Sequence, residues 1–215
     1  MKNKKIVVFS LLLLVAGFIV GIMMYQYSVD TKNQKMLAQK NGAPFVRDHS
    51  PSFGENQNSV IITEFLDPEC EACSAFHPTI QEVFNDYKIE TKLVVRYLAN
   101  HQNSKFTIRI LEAARVQNKY NEALEVIFKT QDKWAQHNNE KPELLWEFLS
   151  KIDLDMVKLK NDFNNNNIDA MLNLDKKDAY TLGVRGTPTV YVNGKVLREL
   201  SHKELLDLVE SEIYK

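Results

Sequence analysis

The sequence predicts an α/β domain that carries a helical insertion and follows an N-terminal transmembrane helix. Three observations predict this class. An apolar run without charge fills residues 6–24, β-rich runs lie near residues 60 and 190, and amphipathic helical patterns occupy most of the chain between them. The 215 residues are 44% hydrophobic and 26% charged, which suits one domain of ordinary composition with an appendage.

Charge and cysteine content exclude two classes of protein. The chain has 27 basic and 28 acidic side chains and a formal net charge of −1. No nucleic-acid partner is therefore expected, because nucleic-acid-binding proteins normally carry a basic excess. Two cysteines are too few for a small fold held together by disulfides, so their spacing is more informative than their number.

The N-terminal residues 1–29 are predicted to anchor the protein in the cytoplasmic membrane. The run Ile6–Met24 has 19 residues, and at roughly 1.5 Å per residue it spans about 28 Å, close to the thickness of a bilayer core. Lysines precede it, which predicts a single-pass topology with the body of the protein on the extracytoplasmic (periplasmic or cell-surface) side. A cleaved signal peptide is the alternative, although its apolar region usually has only about 7–15 residues.

Residues 30–58 are predicted to form a polar stalk or lead-in, and residues 59–215 the folded domain. Prolines and glycines interrupt the lead-in, and its piece Asp48–Ser52 shows neither a helical nor an alternating pattern.

A strand, a pair of cysteines and a helix open the domain. The run Val60–Leu66 is rich in β-forming apolar residues, as in a buried strand, and Asp67-Pro68-Glu69 ends it. Cys70-Glu71-Ala72-Cys73 follows, and apolar residues recur at helical spacing from Ser74 to Tyr87. The two cysteines are therefore predicted to lie where the strand gives way to the helix.

This position favours redox chemistry. Cysteines at i and i+3 of a first helical turn are close enough to form a disulfide. The unpaired amides and the positive end of the helix dipole stabilise a thiolate on Cys70. Cys70 is therefore predicted to be the nucleophile, and Cys73, deeper in the helix, the resolving thiol of a redox-active disulfide.

Two other interpretations of the cysteine pair remain open. An inert disulfide is possible, but it would close too short a loop to add much stability. A zinc site would need two further ligands, whereas the chain has no other cysteine and His49, His77 and His101 are scattered along it. No metal and no cofactor are therefore predicted, and His77 is expected to pack or cap locally.

Glu64 lies inside the apolar strand, six residues before Cys70. A carboxyl group in a strand interior is costly unless it has a partner or a function. Glu64 is therefore predicted to lie beneath the dithiol and to relay a proton to or from Cys73 through water. The alternative is that it faces solvent from an exposed face of the strand.

A β-hairpin is predicted near the C-terminus. Asn193-Gly194 lies between two β-rich runs and is a strong signal for a two-residue turn. Pro188 opens the first run, where a proline is tolerated. From the residues alone the Thr187-Pro188 bond could be cis or trans, and a cis bond would expose backbone groups of Thr187 for pairing with another chain.

A helical insertion is predicted over about residues 103–180, after a second strand at Lys92–Leu98. Its amphipathic segments are Phe106–Tyr120, Glu122–Trp134, Glu143–Ile152 and Ile168–Leu182. Their aromatic residues are expected in the core of the insertion rather than around a ligand. A capping box at Ser201-x-x-Glu204 opens a final helix, Lys203–Ile213.

Taken together, these residues resemble the thioredoxin superfamily, most closely its DsbA-like branch of exported thiol-disulfide oxidoreductases. The resemblance is carried by Glu64–Phe76 and Leu182–Thr189 and extends from about Phe45 to the C-terminus. It implies a thioredoxin fold with an inserted helical domain, and a cis Thr187-Pro188 bond beside the dithiol that holds a substrate strand. It also implies that the substrates are exported proteins with cysteines and that a membrane redox partner, DsbB-like or DsbD-like, recycles the dithiol.

One departure from that family concerns the residues between the cysteines. Strongly oxidising members commonly carry Pro-His there, whereas this chain has Glu71-Ala72, with Asp67 and Glu69 just before. Nearby acids oppose a thiolate, while the helix start favours it. We therefore expect a moderate oxidant in which Cys70 is still poised as a thiolate.

The function that the sequence favours is that of a membrane-anchored dithiol oxidase, with its lipid contact through residues 6–24. The same site would serve a reductase or isomerase, since the direction depends on the reduction potential and on the recycling partner. A rival from another class is a non-catalytic chaperone that binds copper(I) through Cys70 and Cys73. The sequence lacks the methionine- or histidine-rich stretch that would strengthen this rival.

Overall fold

The computed structural model describes residues 15–24, 45–57 and 59–215. The chain divides into two compact units, Met1–Ala43 and Pro44–Lys215. In the first unit residues 15–24 are helical, and residues 6–14 of the expected membrane span lie outside the described residues. Within the described ranges, no helix combines the length and the apolar character needed to cross a membrane.

The described part of the second unit is built on a five-stranded sheet. Its strands are β1 (Ser52–Phe53), β2 (Val60–Leu66), β3 (Thr91–Tyr97), β4 (Thr189–Val192) and β5 (Lys195–Val196). They lie in the order β1-β3-β2-β4-β5. The pair β2–β3 is parallel and the other neighbouring pairs are antiparallel. Strand β2 has the predicted bounds, and β3 begins and ends one residue before the predicted run.

Helices flank the sheet and fill the long connection between β3 and β4. Helix α1 (Glu71–Asp86) follows the cysteine pair. The connection holds α2 (Ser104–Arg115), α3 (Tyr120–Lys129), α4 (Gln131–Trp134), a 3₁₀ turn (Pro142–Leu144), α5 (Leu145–Leu149), α6 (Met156–Asn165) and α7 (Asp169–Leu182). Helix α8 (His202–Ile213) follows the last strand.

The insertion differs from its sequence prediction at four places, the first being that α2 ends at Arg115 rather than at Tyr120. The segment Glu122–Trp134 is divided at Thr130, whose hydroxyl donates to the carbonyl of Val126 at 2.7 Å, into the separate helices α3 and α4. The segment Glu143–Ile152 forms only the 3₁₀ turn and the short α5. Helix α6 is absent from the prediction because Leu159 is its one buried residue, which leaves it little apolar periodicity.

The domain also includes part of the segment that the sequence assigns to the lead-in. Phe45 is 2% exposed and packs against the ring of Tyr191, with ring centroids 4.9 Å apart. Strand β1 pairs with β3, so residues 52–53 extend the sheet. These residues lack a periodic pattern because single side chains and one short strand bind them to distant parts of the domain.

Two apolar clusters place the cysteine pair at the junction of the sheet and the insertion. One cluster packs α1 and α8 on the sheet through residues such as Ile62, Ile80 and Leu205. The other begins at Leu66, where β2 ends, contains both cysteines and continues into the insertion. Because β2 and β3 are parallel, their carboxyl ends meet at this junction.

The predicted hairpin at Asn193-Gly194 is confirmed. Both residues have positive φ, 46° and 78°, as a two-residue hairpin turn of this type requires. The side-chain oxygen of Asn193 accepts from the Ile61 amide at 2.9 Å, which fixes the turn against β2. The last helix is capped as expected by Ser201, whose hydroxyl accepts from the Glu204 amide at 3.2 Å.

Candidate active site

The end of β2 delivers the cysteine pair to the start of α1. The turn between them closes with a hydrogen bond of 3.1 Å from the Cys70 amide to the Asp67 carbonyl. Cys70 is the N-cap residue of α1, with φ −77° and ψ 122°, and Cys73 lies in the first helical turn. The amides of that turn have no carbonyl partner within the helix, so they can donate to the Cys70 sulfur.

The two cysteines differ in their access to solvent. Cys70 is 9% exposed and lines a cavity of about 360 Å³, whereas Cys73 is completely buried. Both are free thiols. This difference is the one that a nucleophile and a resolving thiol require, because only Cys70 can be reached by a second protein.

Hydrogen bonds stabilise the thiolate form of Cys70. The largest effect comes from the Cys73 thiol. Burial opposes this effect, while a hydrogen bond from the side chain of Thr187 and hydrogen bonds from the amides of Cys73 and Ala72 add to it. Together they lower the pKa of Cys70 from 9.0 to about 5. At pH 7 Cys70 is therefore almost fully ionised. A thiolate of low pKa is suited to act both as a nucleophile and as a leaving group.

Cys73 is shifted in the opposite direction. The hydrogen bond to Cys70, burial and the charge of Glu64 all raise the pKa of Cys73 far above its ordinary value. Cys73 therefore keeps its proton while Cys70 is an anion. To attack a mixed disulfide it has to lose that proton to a neighbouring group or to solvent.

Glu64 faces the protein interior rather than solvent. It is 1% exposed, and no donor in the described part of the chain reaches its Oε1 atom. Burial, and after it the charge of Cys70, raise the pKa of Glu64 from 4.5 to about 8. A carboxyl group with this pKa mostly holds a proton at pH 7 and can still release it, as a proton relay must.

The segment before β4 brings the far end of the chain to the cysteine pair. The Thr187-Pro188 bond, whose isomer the residues alone leave open, is cis. The Cys70 Sγ atom lies 3.3 Å from the carbonyl oxygen of Thr187, to which the thiol form donates. The fold therefore joins Cys70, Cys73, Glu64 and the Thr187-Pro188 segment in one site.

The side chains of Asp67 and Glu69, the acids before the cysteines, accept several hydrogen bonds. Asp67 accepts from the amides of Glu69 and Asn100, at 3.0 and 2.8 Å, and from the hydroxyl of Ser104 at 2.9 Å. Glu69 accepts from the amide and the side chain of Asn103, at 2.6 and 2.9 Å. These donors offset part of the negative charge that would oppose a thiolate nearby.

Two histidines near the site have different environments. His77 is buried one turn beyond Cys73, packs against the ring of Phe128, and finds no hydrogen-bond partner for either ring nitrogen among the residues described. Burial lowers its pKa to about 4, so it is neutral at pH 7. His101 instead lies with its Nδ1 atom 2.8 Å from Asp67 Oδ2.

Sequence reasoning does not single out His101 as a site residue. The available signal is topological: His101 follows the end of β3, and β3 is parallel to β2, whose end carries the cysteines. Segments that follow neighbouring parallel strands meet at the same edge of a sheet. The sequence does not show that β2 and β3 are parallel neighbours, so it does not predict the contact between His101 and Asp67.

Comparison with known sequences identifies a family and several relatives of this chain. A family model described as thioredoxin matches residues 47–211. A protein-disulfide oxidoreductase of Rickettsia conorii is 27% identical over 156 residues, which are 69% of this chain and 55% of that protein. Disulfide bond formation protein D of Bacillus cereus is 26% identical over 207 residues, 91% of this chain and 92% of that protein. The chain thus spans about half the length of the rickettsial relative.

Solved structures agree with the fold. BdbD from Bacillus subtilis, in its oxidised form, superposes with a TM-score of 0.65 at 23% identity, covering 77% of this chain and 94% of that chain. The thiol-disulfide exchange protein alpha-DsbA2 from Wolbachia pipientis gives 0.67 at 22% identity, covering 85% and 96%. Since the thioredoxin model matches well over half of its residues, this chain belongs to the thioredoxin family.

Proposed function

We propose that the protein is a membrane-anchored, extracytoplasmic thiol-disulfide oxidoreductase that oxidises cysteines of exported proteins. The observation that carries the proposal is the pairing of an accessible Cys70 of low pKa with a fully buried Cys73 at the start of one helix. The names of two relatives, a protein-disulfide oxidoreductase and a disulfide bond formation protein, support it.

The reaction begins from the Cys70–Cys73 disulfide. A substrate thiolate attacks the Cys70 sulfur, and the bond to Cys73 breaks, so that Cys73 leaves with the electron pair and takes up a proton. A second thiolate of the substrate then attacks the substrate sulfur in the mixed disulfide and expels Cys70 as a thiolate. The substrate has gained one disulfide and lost two electrons, and the protein is left as the dithiol.

The low pKa of Cys70 favours this oxidase direction. The stabilised thiolate exists only in the reduced protein, because the disulfide carries no charge. The interactions that lower the pKa therefore favour the reduced protein over the disulfide and make the disulfide a better oxidant. This contribution is present at neutral pH and is lost as the pH falls through about 5. Glu71-Ala72 between the cysteines and the acids before them are consistent with a moderate oxidant.

The redox state of the cysteine pair in intact cells tests this direction. Acid quenching and alkylation with a thiol reagent of added mass separate the two states on a gel, and a sample treated with dithiothreitol before alkylation identifies the reduced band, which carries two added groups. We expect a mostly oxidised pair. A mostly reduced pair would contradict the oxidase and indicate a reductase or isomerase that uses the same residues.

Substrates and the recycling partner are proposed to meet the site at Thr187 and Pro188. The Thr187 carbonyl lies 3.3 Å from the Cys70 sulfur, so an extended chain paired with this segment would bring its own cysteine next to Cys70. A DsbB-like membrane partner would reoxidise the dithiol, whereas a DsbD-like partner would keep it reduced for the reverse reaction. The uncharged run of residues 6–24, preceded by lysines, supports anchoring in the cytoplasmic membrane with the domain outside.

Replacing Glu64 with glutamine should slow the release of partners from Cys70. Glutamine has the size of glutamate but cannot accept the proton that Cys73 loses when it attacks the mixed disulfide. Glu64 can accept it in its ionised form, which the mixed disulfide favours because Cys70 then carries no charge. We expect the rate of resolution of a Cys70–glutathione mixed disulfide, followed by stopped flow at pH 7, to fall about tenfold or more. Glu112→Gln, which alters another buried carboxyl group, serves as the control. Unchanged kinetics in the Glu64 variant would remove the relay.

The pH dependence of the free energy of unfolding is a second test of Glu64→Gln. The raised pKa means that the reduced native protein holds a proton on Glu64 which the unfolded chain releases, so stability falls as the pH rises from about 4.5 to about 8. Glutamine does not ionise. Glu64→Gln should therefore add about 4–5 kcal/mol to the free energy of unfolding at pH 8.5 and little at pH 4. An equal effect at both pH values in urea denaturation would contradict a buried, protonated Glu64.

A further inference from the structure

His101 is held in place at both its backbone and its ring. Its amide donates to the Ser104 hydroxyl at 3.0 Å, and that hydroxyl donates to Asp67 Oδ2 at 2.9 Å. The ring nitrogen Nδ1 lies 2.8 Å from the same carboxyl oxygen. The position of the imidazole is thus fixed by a completely buried acid, although the imidazole itself is 40% exposed.

His101 and Cys70 line the same cavity of about 360 Å³. The other residues that line it in the described part of the chain include no lysine or arginine. The cations available at this cavity are therefore histidines, His101 and His137. The charged and titratable groups facing His101 come from three segments and are Asp67, Glu69 and Cys70 before α1, Glu71 in α1, and His137 and Glu140 after α4.

His101 and His137 differ in how strongly their surroundings stabilise a positive charge on the ring. His137 is 78% exposed and lies 3.5 Å from the carboxylate of Glu71, itself 76% exposed, so solvent and salt screen both groups. His101 has a buried partner. Partial burial lowers the pKa of His101, but the hydrogen bond and charge of Asp67, with the charges of Cys70 and Glu69, outweigh it and raise the pKa above 6.5.

We propose that His101 supplies the positive charge that offsets Asp67 and stabilises the Cys70 thiolate across the shared cavity. This inference rests on the proposed function, in which Cys70 is the nucleophile. His101 is a positioning residue, because it acts on the sulfur through its charge and is not required to touch the substrate. The charge of His101 explains how Cys70 can be a thiolate at neutral pH although acids precede it and no histidine lies between the two cysteines.

The pH dependence of Cys70 alkylation in the reduced protein tests this role. Initial rates with iodoacetamide are measured from pH 3 to 10, and mass spectrometry verifies that Cys70 carries the label. The wild-type rate should rise with a midpoint of about 5. His101→Gln keeps a donor for Asp67 but removes the charge. Its midpoint should rise by about one pH unit, which slows alkylation about tenfold at pH 4.

Two further variants separate charge from structure. His101→Lys restores a cation at the same position and should return the midpoint to near the wild-type value. His137→Gln removes the exposed histidine and should leave the midpoint unchanged. Near-UV circular dichroism verifies folding, and His101→Asn replaces His101→Gln if the latter is not folded.

Each outcome has one meaning. A wild-type midpoint of an ordinary thiol, about 8.5, would overturn the activated Cys70 and with it the proposed function. A low wild-type midpoint that His101→Gln does not move would overturn the role of His101 alone. Equal shifts of the midpoint in His101→Gln and His101→Lys would show that the charge of His101 does not cause the effect. A shift of the same size in His137→Gln would show that His137, and not His101, stabilises the thiolate.

Discussion

Replacing Cys73 with alanine should convert the protein into a trap that holds other proteins through a disulfide to Cys70. Cys70 remains a thiolate-forming group at the cavity and can still attack a substrate disulfide, breaking it and releasing one substrate thiolate. The variant lacks the sulfur that would next displace the substrate from Cys70. Dithiol turnover should therefore fall by about 10³-fold or more, since the two cysteines act as one unit.

Non-reducing gels of cells that produce the Cys73→Ala protein measure the trap. We expect adducts of higher mass that disappear on reduction, and few of them with the wild-type protein. Cys70→Ala is the matched control and should form none, because the remaining Cys73 is completely buried and burial still raises its pKa. A folded Cys73→Ala protein without adducts would contradict the oxidoreductase and favour a chaperone that uses the cysteines as metal ligands. Equal trapping by Cys70→Ala would reverse the roles of the two cysteines.

Replacing Arg96 with methionine should strongly destabilise the domain. Arg96 is completely buried in β3 and binds Asp175 and Asp178 of α7, at 2.7 and 2.5 Å. Arg47 and His49 reach the same two carboxyl groups, at 2.8 and 2.7 Å. Methionine fills the space but leaves Asp175 without its buried cation. Breaking a buried ion pair in this way costs about 3–5 kcal/mol.

Urea denaturation of the reduced protein measures this cost as a lower midpoint at unchanged slope. Lys105→Met is the matched control, because it breaks an ion pair with Asp169 at the start of the same helix, where both side chains are 65% exposed. That change should cost less than about 1 kcal/mol. An Arg96→Met protein within about 1 kcal/mol of the wild type would contradict a structural role for the buried pair.

Much of the candidate site could be predicted because its signals are local. The apolar run of β2, the turn at Asp67-Pro68-Glu69 and the helical spacing after Cys73 each involve residues within a few positions of one another. Backbone propensity and capping act over the same short range. The strand-to-helix position of the cysteines and the hairpin at Asn193-Gly194 were therefore determined by the sequence.

The environment of the site's charged groups depends on distant parts of the chain. Nothing near Arg96 in the sequence points to Asp175. Periodicity and propensity near Cys70 do not point to Thr187, 117 residues away, and only the resemblance to the thioredoxin superfamily placed that segment beside the dithiol. The inclusion of Phe45 in the domain has the same origin, since its partner is Tyr191.

The sequence by itself predicted which residues the proposed chemistry would use: the two cysteines, the buried strand with Glu64, and the Thr187-Pro188 segment. Only the tertiary structure decided that Glu64 is desolvated, that Cys70 is reachable while Cys73 is not, and that His101 lies against Asp67. The physical reason is the distance along the chain over which the interactions act. Secondary structure follows from neighbours along the chain, whereas the protonation of a buried group depends on every dipole and charge that the fold gathers around it.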